Sequence, residues 1–303
     1  MIDMNKDDVT ILIPTLNEEA AIGSVVAKFK ALGFKNILVI DGNSKDRTVE
    51  IAKSAGANVM TQIGKGKGTA VIQALKLIKT KYCVLIDGDA TYLPEEVDNL
   101  LDELDRGADH VIGNRLLERN KSSFTKLNFF GNKMINRFFT TIYGIDAKDI
   151  TSGYRAFKTD SIKELSLQET GFGIETEVTV ESVKMSHKIS SVDITYLKRK
   201  GKTKLNPFID GFRIFYILFQ LARYHNPLMY FGVFGLLFFL AGFLLGIKIV
   251  YDWFSGVPHS LLITLDVLII MVGIMFFLAG VLGGILINVK RDILRIIRSE
   301  KHE

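Results

Sequence analysis

Two carboxylates one residue apart, Asp87-Gly88-Asp89, directly follow the apolar run Tyr82-Cys83-Val84-Leu85-Ile86. At the carboxyl end of a buried strand such a pair can share a divalent cation. Hard oxygen ligands suit Mg2+ or Mn2+, which in turn bind phosphate oxygens. Asp-x-Asp alone is a weak signal, because acidic turns are common; its place after a strand strengthens it. Asp41 likewise closes the run Val39-Ile40-Asp41 and precedes Gly42-Asn43-Ser44. Asn43 or Ser44 can also serve as the N-cap of a following helix. Gly64-Lys65-Gly66-Lys67-Gly68 sets two cations in a glycine loop. It fits neither the Gly-x-x-x-x-Gly-Lys-Ser/Thr pattern nor Gly-x-Gly-x-x-Gly. A loop beside a pyrophosphate and a solvated turn both remain compatible with it.

Other chemistries have little support. None of the five histidines pairs with Cys or Glu at zinc spacing. No Gly-x-Ser-x-Gly elbow is present. Cys83 is the single cysteine, so no disulfide can form within the chain. It reads as a small buried hydrophobe in a reducing compartment.

The elements that must position these residues alternate. Strands are expected at 9–14, 36–41, 58–62, 82–87 and 110–113, and helices at 18–32, 44–55, 69–79 and 94–106. This order argues for an α/β fold, a mostly parallel sheet with helices on both faces. Such sheets bind ligands at the carboxyl ends of their strands. The polar clusters at 15–19, 41–46 and 87–91 stand at those ends.

The second half changes character. Residues 126–143 place Phe129, Phe130, Met134, Ile135, Phe138, Phe139, Ile142 and Tyr143 on one broad helical face, with Lys126, Lys133 and Arg137 mostly opposite. A basic, Phe-rich amphipathic helix can lie in a membrane surface, or it can pack on the sheet. Residues 208–224 carry a narrower polar stripe of Asp210, Arg213 and Gln220, which favours the membrane interface. Hydrophobic residues make up 48% of the 303 positions, and their excess sits after residue 226. Segments 228–250 and 261–289 are long enough, at about 1.5 Å per residue, to cross a bilayer core of ~30 Å. Lys290, Arg291, Arg295, Arg298 and Lys301 follow the second span; Arg213 and Arg223 precede the first. The connecting loop has no Lys or Arg, so both ends are expected in the cytosol. Asp266 falls a few residues inside the second span, where it reads as a hydrated interfacial carboxylate. Residues 1–8 are polar and acidic, without a secretory pattern, so the catalytic part is expected to stay cytosolic. The net charge of +5 suits anionic lipid or a phosphate-bearing substrate as well as nucleic acid.

The ordered motifs carry a resemblance. Pro14-Thr15-Leu16-Asn17-Glu18, Asp41-Gly42-Asn43-Ser44-x-Asp46-x-Thr48, Gly66-Lys67-Gly68 and Asp87-Gly88-Asp89 resemble family 2 glycosyltransferases of the GT-A (Rossmann-like) fold. Gly113-Asn114-Arg115, Ser152-Gly153-Tyr154-Arg155-Ala156-Phe157 and Gly201-x-Thr203-Lys204 are similar to the dolichol-phosphate mannose synthase branch. Gly171-Phe172-Gly173-Ile174-Glu175-Thr176-Glu177 is similar to the archaeal branch that charges dolichyl phosphate with a hexose for N-glycosylation. The resemblance covers about residues 9–207, and the two-span tail matches some members. The third metal-site position, often Gln in the mannose synthases, is Thr91 here. The Arg that usually precedes the late glycine is assigned to Arg199, among Lys198, Arg199 and Lys200.

The resemblance implies an inverting transfer of a hexose or N-acetylhexosamine from a nucleotide-sugar to dolichyl or polyprenyl phosphate. A UDP-sugar, glucose or N-acetylglucosamine, is favoured over GDP-mannose. It implies Mg2+ or Mn2+ on Asp87, Asp89 and Thr91, and a catalytic group of Asp87, Asp89, Arg115 and Arg155. Pro14, Thr15, Leu16, Asn17, Glu18, Asp41, Lys67, Asp87 and Gly88 would hold the nucleotide. Arg115, Arg155, Arg199 and Lys204 would hold the acceptor phosphate, and Glu175 and Glu177 the sugar unless they cap a helix. The expected organisation is a catalytic domain over 1–205 with an interface helix at 126–143, a second interface helix at 206–226, two spans within 227–289 and a basic tail at 290–303. Its partners are the donor, the lipid phosphate and the bilayer, with no nucleic acid and with self-association open through the spans. Two rivals are a processive polysaccharide synthase and a non-enzymatic nucleotide-sugar-binding membrane protein. The first needs a channel that two spans do not make in one chain, and Gln220-Leu221-Ala222-Arg223-Tyr224 only approaches its Gln-x-x-Arg-Trp motif. The second is disfavoured because Asp87, Asp89 and Arg115 are all present.

Overall fold

The computed structural model describes residues 5–199, 207–257 and 260–300. Lys200, Gly201, Thr203, Lys204 and Lys301 lie outside the described residues. The chain divides into two compact units, Met1–Ile217 and Leu218–Glu303.

The first unit is built on a seven-stranded sheet of order β3-β2-β1-β4-β6-β5-β7. In chain order the strands are β1 Val9–Thr15, β2 Asn36–Asp41, β3 Asn58–Thr61, β4 Tyr82–Leu85, β5 His110–Asn114, β6 Arg155–Lys158 and β7 Ile189–Asp193. All neighbours pair in parallel except β6, which runs antiparallel to β4 and β5. The side chains of β1 alternate between two layers. Ile11 and Ile13 pack with Val25, Val26 and Phe29 of α1 (Ile22–Ala31). Ala52 of α2 (Thr48–Ser54) joins that layer, whereas Leu12 faces the other way, in a core completed by Val71, Ala74 and Leu75 of α3 (Lys67–Leu75). Helix α4 (Val97–Asp105) adds Leu100, Leu101 and Leu104 to the first layer. This two-sided burial is why the strands read as continuous apolar runs.

The sheet opens where β1 meets β4. Their pairing ends at Leu12 with Leu85, while β1 stays paired with β2 as far as Thr15 with Asp41. Pro14, which has no N–H for a ladder, stands just past the last β1–β4 pair. The chain steps from β1 to β2 and β3 on one side, then returns to β4 on the other. That reversal is the crevice where open α/β sheets bind ligands.

Several boundaries differ from expectation. The helices expected from 18 and 44 begin at Ile22 and Thr48. The intervening residues are occupied in a network of side chain to backbone bonds, described below. Strands β6 and β7 were not foreseen, and neither alternates cleanly; β7 is a half-buried Ile-Ser-Ser-Val-Asp. Helix α5 spans the expected Lys126–Tyr143, with Thr125 capping its start and Gly144, at φ +69°, ending it. Helix α5 carries two apolar strips. Phe129, Ile135, Phe139 and Ile142 are buried in the unit, while Leu127, Phe130 and Met134 form a second, exposed strip. Beyond α6 (Thr159–Lys163) and α7 (Ile174–Lys184), the helix α8 (Pro207–His225) stacks Phe215 on Phe138 of α5 at 4.5 Å.

The second unit holds α9 (Pro227–Phe254) and α10 (Ser260–Glu300), packed as a hairpin. Pro227–Phe254 and Ser260–Val289 are long and apolar enough to cross a membrane, and little of either is buried within the protein. The two helices approach closely through glycines. A Cβ on Gly273 would lie 3.0 Å from the Gly235 carbonyl oxygen, and one on Gly235 would lie 2.9 Å from that of Gly273. Small residues allow such approach where lipid provides no hydrophobic drive between helices. Asp266 is half-buried: its Oδ1 is buried without a partner among the described residues, beside Gly242 of α9, while its Oδ2 lies beside Gly246.

The seam predicts that Gly273→Leu lowers the thermal midpoint of the full chain in detergent, at an overpacking cost of about 1–3 kcal/mol. Gly284→Ala, where a Cβ meets nothing within 4 Å, leaves the midpoint unchanged. Equal midpoints for the two variants would contradict the packing described.

Candidate active site

Three loops leave the carboxyl ends of β1, β2 and β4, and the first two are laced together. Asp41 ends β2 and accepts from the Ser44 amide at 2.9 Å and its hydroxyl at 2.5 Å. Ser44 Oγ accepts from the Asn17 amide, and Asn17 Oδ1 accepts from the Lys45 amide, both at 2.8 Å. The Glu18 amide donates to Thr48 Oγ1 at 2.8 Å. Asn17 and Asn43 take the left-handed backbone, at φ 48° and 66°, which asparagine tolerates. The Asp-Gly-Asn-Ser-x-Asp-x-Thr string is thus a loop that positions the 15–18 segment. Thr15 Oγ1 is buried there without a partner among the described residues.

The third loop holds Asp87 and Asp89. Asp89 Oδ1 accepts from the Thr91 hydroxyl at 2.6 Å and its amide at 3.1 Å. The turn that allows both bonds places Ala90 at φ 57°, a conformation costing a residue with a Cβ about 1–2 kcal/mol. Asp89 Oδ2 pairs with Arg199 Nη1 at 3.0 Å, and Arg199 Nη2 donates to Glu18 Oε1 at 2.5 Å. Arg199 therefore joins the loop after β1 to the loop after β4.

Asp87 pairs with Lys67, and Lys67 also pairs with Glu175 of α7. Burial alone would push the Lys67 pKa down; the two carboxylates outweigh it and hold it above the ordinary lysine value. Lys67 gets there because its loop is clamped. The Gly68 amide donates to the Gly171 carbonyl at 3.1 Å. A Cβ on Gly66 or Gly68 would collide with the Thr170 or Glu169 carbonyl. Glu177 Oε2 in turn accepts from the Glu169 amide at 2.8 Å and the Gln168 amide at 3.1 Å. Burial raises the Glu177 pKa despite these bonds.

Beneath Asp87 lies a buried support. Its carboxylate rests directly over Gly153, so that a Cβ there would overlap it. The Gly153 amide donates to the Tyr92 hydroxyl at 2.9 Å, which also accepts from Arg115 at 3.3 Å. Arg115 forks onto Asp149, at 2.7 and 2.9 Å. Burial disfavours both charges. Their mutual attraction outweighs it, raising the Arg115 pKa well above and lowering the Asp149 pKa below the usual values.

The sequence model of glycosyl transferase family 2 matches residues 10–166, which contain the three loops and the Gly153 support. The chain belongs to that family. It is 40% identical to glycosyltransferase AglJ of Haloferax volcanii over 297 residues, covering 97% of this chain and 98% of that protein. It is 33% identical to a dolichyl-phosphate hexose transferase of the same organism, over 70% of this chain and 92% of that one. The fold is shared with glucosyl-3-phosphoglycerate synthase from Mycobacterium tuberculosis, solved with Mn2+ and UDP-glucose. The TM-score is 0.58 at 20% identity, over 71% of this chain and 78% of that one.

In this glycosyltransferase the structure forms two ion-pair bridges, Asp87–Lys67–Glu175 and Asp89–Arg199–Glu18, that meet at the 87–89 turn, with Asp41, Thr15 and Gly88 close behind it. Pro14, Leu16 and Asn17 line the same loops. Thr91 is fully buried and bonded to Asp89, so it orients that carboxylate. Arg155 is not brought to the crevice. It is fully buried and donates to Ser152 O, Ile150 O and Thr179 Oγ1 at 2.7, 2.5 and 2.7 Å, and burial lowers its pKa to about 10. Neighbouring His110 is kept uncharged by burial and then by Arg155, which together push its pKa well below the usual value. Arg115 stands behind Gly153, and Glu177 holds the 168–169 backbone. Sequence reasoning missed Tyr92 and Asp149. Neither sits in a pattern of its own, and each is recognised only by the group it holds.

The support under Asp87 yields a test. Gly153→Ala displaces the Asp87 carboxylate and lowers kcat/KM for sugar transfer by roughly 10²-fold, the usual consequence of misplacing a reacting group by about 1 Å. The folded state persists by thermal melting. Unchanged kcat/KM would show that Asp87 need not stand where it does. Asp149→Asn leaves Arg115 buried without its counter-charge and destabilises the fold by about 3–5 kcal/mol, measured by denaturant unfolding.

Proposed function

We propose that the enzyme transfers a hexose or N-acetylhexosamine from a nucleoside diphosphate sugar to dolichyl or polyprenyl phosphate, for use in protein N-glycosylation. One observation carries the reading. The carboxylates and cations converge at the switch point of a family 2 transferase whose chain continues into two helices long and apolar enough to cross a membrane. Support comes from the dolichyl-phosphate hexose transferase that resembles it and from the UDP-glucose bound by the synthase that shares its fold. UDP-glucose or UDP-N-acetylglucosamine is the favoured donor.

The donor set fits a divalent cation. Asp87 and Asp89 offer hard oxygens on one strand end, and Thr91 fixes one oxygen of Asp89 so that the other points away. Mg2+ or Mn2+ held there would supply charge neutralisation for the diphosphate. The chain's own residues do the rest. The 15–18 and 41–48 loops bind the nucleoside. Lys67 and Arg199 offset the charge of two phosphate groups that repel each other. The acceptor needs no strong general base, because a phosphate monoester has a second pKa near ~6 and arrives as an anion. Its oxygen forms the new bond to the anomeric carbon as the bond to the diphosphate oxygen breaks, with inversion.

The membrane parts then have a reason. A polyprenyl chain leaves lipid only at high cost, so the site must come to it. The exposed Leu127, Phe130 and Met134, with Lys126, Lys133 and Arg137, suit the headgroup boundary of the cytosolic leaflet. The hairpin spans the bilayer with both ends in the cytosol.

The test offers dolichyl phosphate and each labelled donor, UDP-glucose, UDP-N-acetylglucosamine and GDP-mannose, to the full chain in detergent, with Mg2+, Mn2+ or chelator. One donor gives a metal-dependent lipid-phosphate sugar, and Asp89→Ala lowers the rate at least ~100-fold. If no donor gives that product, the proposal fails.

A further inference from the structure

The two carboxylates assigned to a divalent cation each carry a cationic side chain already, and each of those cations also holds a second carboxylate. Lys67 bridges Asp87 and Glu175. Arg199 bridges Asp89 and Glu18, at 3.0 and 2.5 Å. Within Asp89 the two oxygens are not equivalent. Oδ1 is committed to the hydroxyl and amide of Thr91, whereas Oδ2 carries Arg199. A metal ion on Asp89 would therefore use the oxygen that Arg199 occupies.

We propose that Arg199 is the counter-ion exchanged when the divalent cation binds. Its guanidinium yields Asp89, keeps Glu18, and turns its freed donors to the diphosphate of the donor. This inference rests on the metal assignment made above. A guanidinium cannot step aside by losing a proton. Two cations cannot share one carboxylate oxygen without strong repulsion, so the exchange is physical displacement. Glu18 provides the place to retreat, and it sits on the loop that would bind the nucleoside. A diphosphate that engages the freed guanidinium removes the competitor from Asp89. Nucleotide and metal then strengthen each other's binding, and the coupling is reciprocal. Arg199 thus becomes a residue that makes the transferase take metal and donor together.

The measurement is Mn2+ affinity, read by the EPR signal of free Mn2+ over the full chain in detergent. It is made without nucleotide and with UDP or GDP, against protein-free controls. The wild-type chain binds Mn2+ alone weakly, and one nucleotide tightens it at least about tenfold. Arg199→Gln binds Mn2+ alone about tenfold more tightly than wild type, or ~1.4 kcal/mol, and its gain from nucleotide shrinks. Arg199→Lys, which keeps the charge but loses the fork, falls between. Glu18→Gln removes the retreat and weakens Mn2+ binding in the wild-type background, but has no effect in the Arg199→Gln background. Unchanged or weaker Mn2+ binding in Arg199→Gln overturns the exchange. So does a Glu18→Gln effect of equal size in both backgrounds, which simple charge removal would give. A wild-type chain that binds no Mn2+ even with nucleotide removes the metal assignment and this inference with it.

Discussion

Four carboxylates, Glu18, Asp87, Asp89 and Glu175, are drawn to one end of the sheet, and their mutual repulsion is the constraint the rest of the structure answers. At about 4 Å and a dielectric near that of a protein surface, like charges repel by on the order of 4 kcal/mol. Lys67 and Arg199 offset this, each bridging two of the four. The acidic end of the sheet is therefore a compensated cluster of alternating charge. Each carboxylate is thereby paired with a cation and each cation with two carboxylates.

The backbone around the cluster is shaped to deliver those two cations and hold the carboxylates still. Lys67 opens α3 from a loop that lies flat on the 169–171 carbonyls, and only glycine at 66 and 68 permits that approach. Asp87 is seated on Gly153, which hangs from Tyr92. Arg115 bonds Tyr92 and is anchored in turn by Asp149. These are long-range dependencies: Glu175 and Glu177 lie on a helix that joins the sheet core through Ile174 and Val178. On the buried polar face of α7, Glu175 pairs with Lys67 and Glu177 holds the 168–169 backbone, whereas Thr179 accepts from Arg155 and Glu181 pairs with Lys184.

Much of this was legible in the sequence, and the division has physical causes. Strand and helix alternation over 9–114 could be read because both faces of the sheet are covered, so each strand is an apolar run bounded by polar loops. The loop motifs gather at one crevice because all three loops leave the carboxyl ends of neighbouring strands. Helix starts at 22 and 48 could not be read, since Glu18 and Ser44 look like helix openings until their partners on the neighbouring loop are known. Strand β6 escaped because it is short and runs against its neighbours. The roles of the arginines were not legible either. Arg115, Arg155 and Arg199 all sit in polar motifs with suitable chemistry, yet two are consumed by buried acceptors and one faces the carboxylates. Side-chain chemistry in a motif states what a residue can bind; burial decides what is left for it to bind.

The two long apolar helices follow a different logic from the sheet. In a bilayer, water would be absent as a driving force between α9 and α10, and their close backbone approach is supplied by glycine at 235 and 273. Asp266 is the exception to that economy. A carboxylate whose Oδ1 is buried without a partner against Gly242 of the opposite helix costs the hairpin free energy that packing must offset. The unit therefore tolerates one local penalty within a seam otherwise built from small residues, much as the turn at Ala90 tolerates a left-handed backbone to aim Asp89. At Ala90 the strain sits in the backbone and is held by the two Thr91 bonds to Asp89; at Asp266 the penalty is an unpartnered oxygen, held by the glycine seam packed around it.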